Sequence, residues 1–284
     1  MPRPDDLHIT PRKPEFELLK SMQKQRYWLA NDPVLTHFFN ALQATFPEGE
    51  RFFIDSAREV RDSLGEENLP EHLADDIKAF IHQEAWHGKA HDEWNQVLID
   101  LGYTRMEEFD AQQKRLRRWA NENISPMMRL AVTAGAEHMT ASLARMMLEK
   151  RRDLIDEAAE PVRSLLAWHA LEEIEHKSVC FDLYQAAGGG YRQRVLGLVF
   201  AFLDTLRLAR SRHKYLLQQD GLWNWRTRVQ AYRKVWGPRG IVGQMIPELL
   251  RYLKPGFHPW QTDERAAFET RWQTLISDLS NKAA

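Results

Sequence analysis

The chain has 284 residues, of which 43% are hydrophobic and 28% are charged, and its formal net charge at pH 7 is −1. This composition is typical of a globular protein with a sizeable core, and the near-zero charge gives no global basic field for nucleic acid. The one cysteine, Cys180, excludes an internal disulfide framework. Because the N-terminus carries no secretory signal pattern, we expect a cytoplasmic protein.

Helical periodicity dominates the sequence and strand alternation is nearly absent, which predicts an all-α fold. A proline-rich extended arm over residues 1–14 is followed by a helix over about 17–45 that Pro33 interrupts. Further helices are predicted over about 49–64, 71–100, 105–121, 126–153, 157–186 and 191–218. A Trp-rich stretch and shorter helices follow. We predict a single domain over 1–284, with a bundle core over about 40–187 and a C-terminal helical cap over about 190–284.

Four of these helices carry glutamates or histidines on the stripe where apolar core residues belong. In the helix over 157–186, three of them stand at i, i+4 and i+7 among leucines. An ionised glutamate in a dry core is costly unless it is paired or binds a metal ion. A pair of divalent cations explains all of these residues at once, and the predicted ligands are Glu50, Glu84, His87, Glu137, His169, Glu173 and His176.

The spacing of these residues is more specific than their composition. Two helices carry Glu-x-x-His and two carry a single inward glutamate; the residues are Glu84/His87, Glu173/His176, Glu50 and Glu137. Dimetal carboxylate bundles use this arrangement. Short connections within each helix pair and a long crossover between the pairs, the helix over about 105–121, fit the same topology. We therefore predict a ferritin-like four-helix bundle with additional C-terminal helices.

Two more histidines, His91 and His169, lie one helical turn away from the Glu-x-x-His motifs in opposite directions along the chain. On antiparallel helices both are displaced toward the same end of the site, by roughly 6 Å each, so their side chains can meet. The sequence leaves open whether His91 and His169 bind a metal ion or contact another ligand. In the first and last site helices the alternative glutamates are Glu48 and Glu172.

These motifs resemble the diiron members of the ferritin-like superfamily. The segment HALEEIEH is similar to the His-x-x-x-Glu-x-x-His helix of the p-aminobenzoate N-oxygenases, which implies that His169 binds one iron. The chain resembles more closely a bacterial family known as predicted metal-dependent hydrolases, over roughly residues 8–272. The segments that carry this resemblance are FPEGERFF, FIHQEAWHGKAHDEWN, GAEHMTA, WHALEEIEHKSVCFDLY and YLKPGFHPW.

The imidazole and carboxylate donors suit iron or manganese. The leading hypothesis is a non-haem diiron enzyme that uses O₂ to oxidise or oxygenate a small organic substrate, apolar or acyl in character. Two iron ions are the expected cofactors, and a Mn/Fe pair is left open. The alternative is a metal-dependent hydrolase in which two metal ions, such as zinc, activate water. A second alternative is a non-catalytic iron-binding protein.

The C-terminal part of the chain is expected to cap the site, with four tryptophans over residues 190–260: Trp223, Trp225, Trp236 and Trp260. The apolar run VLGLVFAFLDTLRL over 195–208 is too short to span a membrane. Its basic flanks leave two interpretations, a core helix or a helix that contacts a membrane surface or an apolar substrate. The sequence identifies no electron donor and leaves a homodimer open.

Overall fold

Twelve α-helices make up most of the part of the chain that the computed structural model describes, residues 3–4, 6–13, 15–263 and 265. They are α1 Leu18–Lys24, α2 Pro33–Gln43, α3 Phe46–Leu64, α4 Glu71–Asp100, α5 Met106–Asn123, α6 Pro126–Glu149, α7 Asp153–Asp156, α8 Val162–His176, α9 Val179–Ala186, α10 Tyr191–Gln219, α11 Trp225–Ala231 and α12 Ile241–Tyr252. These residues include no strand, so the predicted all-α class is confirmed. The remainder of the predicted C-terminal cap lies outside the described residues, and the domain division stays a prediction.

Local sequence signals set several helix ends. Asp32 caps α2, since its side chain accepts hydrogen bonds from the backbone N–H groups of Val34 and Leu35. Ser125 caps α6 in the same way, and a proline occupies the first turn of both helices. Gly65 ends α3 with a φ of 81°, a conformation that costs glycine little. The prediction of a helix over 71–100 is confirmed.

The continuous helix predicted over 157–186 is wrong, because the chain breaks into α8 and α9 directly after His176. At the break, Ser178 Oγ donates to Asp182 Oδ2 at 2.7 Å and accepts from Trp260 Nε1 at 3.0 Å. The chain around Trp260 packs at this interruption. Helical periodicity continues across the break, so the sequence pattern alone does not reveal it.

Helices α3, α4, α6 and α8 surround one core, and cross-helix contacts define their directions. Residues near the start of α3 face the second half of α4, and Ser56 Oγ of α3 lies 2.7 Å from Thr133 Oγ1 of α6. Gln83 of α4 donates to Glu175 of α8 at 2.8 Å. Because a short connection joins the end of α3 to the start of α4, α3 is antiparallel to α4. Glu137 of α6 lies beside His176 at the end of α8, whereas Met147 near the end of α6 lines a small cavity with Leu166 near the start of α8, so α6 is antiparallel to α8. The crossover α5 joins the two pairs, as the connection lengths predict.

The buried apolar residues form two clusters that meet at the middle of these helices. One cluster contains Trp94, Leu166 and Leu171 together with α2. The other contains Ile77, Phe80 and the α9 side chains. Between the two clusters lies a layer of buried carboxylates and imidazoles, which are therefore surrounded by hydrocarbon on both sides.

Helix α10 packs closely against α6 at two glycines. A Cβ on Gly197 would lie 2.2 Å from the Ala131 carbonyl oxygen, and one on Gly135 would lie 2.6 Å from Leu198 Cα. The missing side chains let the two backbones approach, so α10 forms one wall beside the core helices. Among the described helices, none is both long enough and apolar enough to cross a membrane.

Candidate metal centre

Eight acidic and imidazole side chains occupy the polar layer, and each is at most 9% exposed. They are Glu50, Glu84, His87, His91, Glu137, His169, Glu173 and His176. In the described part of the chain, twenty buried side-chain nitrogen and oxygen atoms have no hydrogen-bond partner, and thirteen of them belong to these eight residues. Buried polar atoms are rarely left unpaired, so this concentration indicates a site shaped for cations.

The first group of potential ligands joins Glu50 of α3, His91 of α4 and His169 of α8, whose donor atoms lie within 4.8 Å of one another. Nε2 of His91 lies 3.5 Å from Glu50 Oε1, and Nε2 of His169 lies 3.8 Å from the same oxygen. The two imidazole ring centres are 4.9 Å apart. The prediction that these two histidines meet at one end of the site is confirmed.

The second group joins Glu84, Glu173 and His176, whose donor atoms also lie within 4.8 Å of one another. Nε2 of His176 lies 3.4 Å from Glu84 Oε1 and 3.3 Å from Glu173 Oε2. Glu137 of α6 joins them, since its Oε2 is 3.4 Å from the same imidazole nitrogen. All four glutamates predicted as ligands therefore converge on one layer.

Glu173 links the two groups, because its two oxygens face different histidines. Oε1 lies 3.0 Å from His169 Nε2, whereas Oε2 lies 3.3 Å from His176 Nε2. His87 stands between the groups, with Nδ1 3.6 Å from Glu84 Oε1 and 3.9 Å from Glu173 Oε1. Such overlapping sets of donors fit two neighbouring cations with a shared carboxylate, the donor chemistry of a dimetal site.

Glu172, the alternative ligand on α8, lies outside the layer of donors and contacts His87 from the other side of its ring. Its Oε2 accepts a hydrogen bond from His87 Nε2 at 3.0 Å, and its Oε1 accepts from Arg12 at 3.1 Å. The hydrogen bond to Glu172 holds a proton on Nε2, so Nδ1, which faces the other glutamates, is the nitrogen of His87 that is placed to bind a metal ion. Arg12 also binds Glu175, which accepts from Gln83. Sequence periodicity missed this network because Arg12 belongs to the N-terminal arm.

Glu48, the alternative on α3, is buried but turns away from the other donors. Its carboxylate pairs with Arg51 at 2.7 Å and with Arg117 of α5 at 2.8 Å. Helix α3 begins at Phe46, so Glu48 and Glu50 differ by about 200° around the helix axis. Of the two residues, only Glu50 lies in the polar layer.

Burial and mutual repulsion dominate the electrostatics of the layer. Burial, followed by the charge of Glu84, raises the pKa of Glu50 and of Glu137 well above the usual range. Burial also acts to raise the pKa of Glu173, but the neighbouring His176 and His169 hold it well below its usual value. Desolvation and neighbouring imidazoles lower the pKa of His91 and of His169, so both rings are neutral and able to bind metal.

A large apolar cavity of about 560 Å³ lies beside this layer, between α3, α5, α6 and α10. A small cavity of about 30 Å³ is lined by His91, His169 and Glu173 of the layer itself. The two cavities share four lining residues, Leu42, Phe46, Thr140 and Leu143. The donors are therefore separated from the large cavity by only a few side chains.

The predicted cap contributes to this cavity less through its tryptophans than through α10 and α12. Trp236 lines the large cavity, whereas Trp260 is buried against Ser178 and Trp225 is 69% exposed. Cys180 is fully buried in the apolar cluster around α9, as expected of a core residue. No local sequence pattern indicates the cavity, because its walls come from helices that are distant along the chain.

Comparison with protein families identifies a match to this chain. A model of the family described as predicted metal-dependent hydrolase matches residues 10–263, a range that contains all eight residues of the polar layer. No curated protein and no solved structure matches the chain. The resemblance to p-aminobenzoate N-oxygenases has no support from a match and stays a prediction.

Proposed function

The chain belongs to the predicted metal-dependent hydrolase family, and on that premise we propose that it is a dimetal enzyme that hydrolyses an elongated, apolar acyl substrate. The proposal depends above all on one observation, the junction between the donor layer and the apolar cavity. His91, His169 and Glu173 line the small cavity that adjoins the large one at Thr140 and Phe46. Pockets for organic ligands commonly enclose about 300–1,000 Å³, and the large cavity falls within that range.

The metal ions in this proposal are held by the eight residues of the polar layer, with four carboxylates to balance two divalent charges. When bound, such ions supply a nucleophilic water at neutral pH and polarise a carbonyl oxygen. Zinc or manganese suits this role. The unpaired donor atoms of the layer support the proposal, since they require a partner that the described side chains do not provide.

The chain's own residues bind and orient the substrate. Apolar walls from α5, α6 and α10 hold the acyl chain and exclude bulk water. Thr140 stands where the two cavities adjoin, and its hydroxyl donates to the Glu137 carbonyl oxygen at 3.1 Å. The lone pairs of that hydroxyl remain able to accept a hydrogen bond from a polar group of the substrate. Glu172 holds the proton on His87 Nε2 and so fixes the orientation of that ring.

We also propose that the core is a ferritin-like bundle. Its support is the direction of the helices, two antiparallel pairs joined by the long crossover α5, together with the distribution of the donors over the four helices. Each Glu-x-x-His motif lies on one member of a pair, and each single glutamate lies on the other.

The second candidate function is O₂-dependent oxidation of the same kind of substrate by a diiron or Mn/Fe centre. The donor set favours it, because four carboxylates and up to four imidazoles in a closed helical core suit iron and manganese. Hydrolysis requires no electron donor, whereas this alternative requires a reductant of a kind that the chain does not identify. Both candidates use the same residues and the same cavity.

One experiment separates the two functions. Protein loaded anaerobically with Zn(II), Mn(II) or Fe(II) is incubated with a series of fatty-acyl esters from acetyl to palmitoyl, with and without O₂. Hydrolysis predicts turnover without O₂, a preference for long chains, and label from oxygen-18 water in the acid product. Label that enters the product only from O₂ would support oxidation instead. Absence of turnover with every metal and chain length would contradict both.

A further inference from the structure

A set of large apolar side chains is exposed on neighbouring parts of α5 and α10. Each is between 40% and 55% exposed, and together they form what we call the α5/α10 patch: Leu116, Trp119, Leu196, Val199, Phe200 and Leu203. The four on α10 follow i, i+3, i+4, i+7 spacing and so form one stripe along the helix. Exposed apolar groups in such a continuous arrangement usually mark a surface that contacts another molecule or a membrane.

The α5/α10 patch is continuous with the large apolar cavity, because three of its six residues also line that cavity. Leu116, Trp119 and Phe200 are exposed to solvent and also line the cavity. These three side chains form an apolar connection between the patch and the cavity, beside Arg117 and Asp204, which also line the cavity. This continuity distinguishes the patch from the exposed apolar residues that occur singly on most proteins.

Basic side chains flank the patch. Arg115 and Arg118 of α5 are exposed beside Leu116 and Trp119, and four basic residues of α10 are exposed, namely Arg192, Arg207, Arg210 and Lys214. On α10, Arg192 precedes the apolar stripe and Arg210 follows it, both exposed. The acidic residue of α10, Asp204, pairs with Arg207 at 2.7 Å, so these two residues together add no net charge. An apolar stripe with arginines at both ends matches the charge and polarity of an anionic lipid interface.

We propose that the α5/α10 patch docks on the surface of an anionic lipid bilayer, which places its cavity-lining side chains against the acyl chains. Trp119 suits the headgroup region, and the long arginine side chains reach lipid phosphates while their stems cover apolar surface. The contact is peripheral, consistent with the finding that none of the described helices can span a membrane. This docking does not depend on the reaction proposed above, since it requires only the surface.

Vesicle flotation tests the proposal with the full-length protein. Wild-type protein is expected to float with phosphatidylcholine vesicles that contain phosphatidylglycerol, to float less with phosphatidylcholine alone, and to dissociate as salt is raised. The double substitution Phe200→Glu/Leu203→Glu should weaken binding by about tenfold or more, because two apolar anchors become charged. The matched control is His82→Glu/Ala85→Glu, which adds the same charges at the same spacing on the exposed face of α4 and should bind like wild type.

A further double variant covers the case in which the patch variant does not fold, as judged by helical circular dichroism. Arg115→Ser/Arg118→Ser keeps the apolar residues and should lose only the preference for anionic vesicles. Wild-type protein that fails to float with anionic vesicles would overturn the proposal. So would a control variant that loses binding equally. A dimer in analytical ultracentrifugation that Phe200→Glu/Leu203→Glu dissociates, without vesicle binding, would identify a second copy of the chain as the occupant instead.

Discussion

The carboxylate of Glu172 offers a sharp test of the metal centre, because it contacts an imidazole of the donor layer without being a donor itself. Its Oε2 lies 3.0 Å from His87 Nε2, and both side chains are fully buried. A hydrogen bond to a charged group is worth about 1.5–3 kcal/mol. The substitution Glu172→Gln replaces the charge with a neutral amide and should therefore weaken metal binding by about 10–100-fold.

The control for this variant is Glu175→Gln. Glu175 is also buried and binds Arg12 through two hydrogen bonds, of 2.9 and 2.7 Å, but the described structure gives it no hydrogen bond or ion pair with the eight residues of the layer. Zinc affinity is measured by competition with a chromophoric chelator, and circular dichroism checks the fold. Weaker binding in Glu172→Gln but near wild-type binding in Glu175→Gln supports the role of Glu172. Equal losses in both variants would refute it, because they would indicate a general effect of disturbing Arg12.

Three further predictions concern stability. Burial acts to raise the pKa of Asp220, but hydrogen bonds from His37 and Tyr103 lower that pKa to about 2. Asp220→Asn should therefore cost about 2–3 kcal/mol in urea unfolding at pH 7, a difference that disappears as pH falls from about 4 to about 2. Gly197→Ala should cost about 1–3 kcal/mol by separating α10 from α6, whereas Gly49→Ala, which meets nothing within 4 Å, should not destabilise the fold. Chelation should lower the melting temperature, since ions at 100 times their Kd contribute about 2.7 kcal/mol; an unchanged melting temperature would contradict tight binding.

Much of the fold and of the candidate site follows from local patterns in the sequence. Helical spacing predicted that Glu84 and His87 lie on the core-facing side of one helix and that His176 lies on the core-facing side of another. The structure brings these two sides together. The meeting of His91 with His169 also followed from spacing, since antiparallel helices convert sequence offsets into positions along an axis. These predictions succeeded because a helix fixes the direction of its side chains.

Features that depend on distant parts of the chain could not be predicted in this way. Arg12 binds Glu172 and Glu175 across more than 150 residues of sequence, and no periodicity reports such a contact. At the break after His176, Ser178 likewise accepts a hydrogen bond from Trp260, which lies 82 residues away in the sequence. Glu172 and Glu173 are neighbours in the sequence and both are buried, so periodicity does not identify which of the two belongs to the donor layer.

The most direct measurement is anomalous X-ray diffraction from crystals of the metal-loaded protein, collected at the absorption edge of the bound metal. We expect two anomalous peaks within the layer formed by Glu50, Glu84, Glu137 and Glu173, and elemental analysis that gives two ions per chain. Peaks located elsewhere, or no peak while the carboxylates and imidazoles pair with one another, would contradict the proposal that this layer binds two cations.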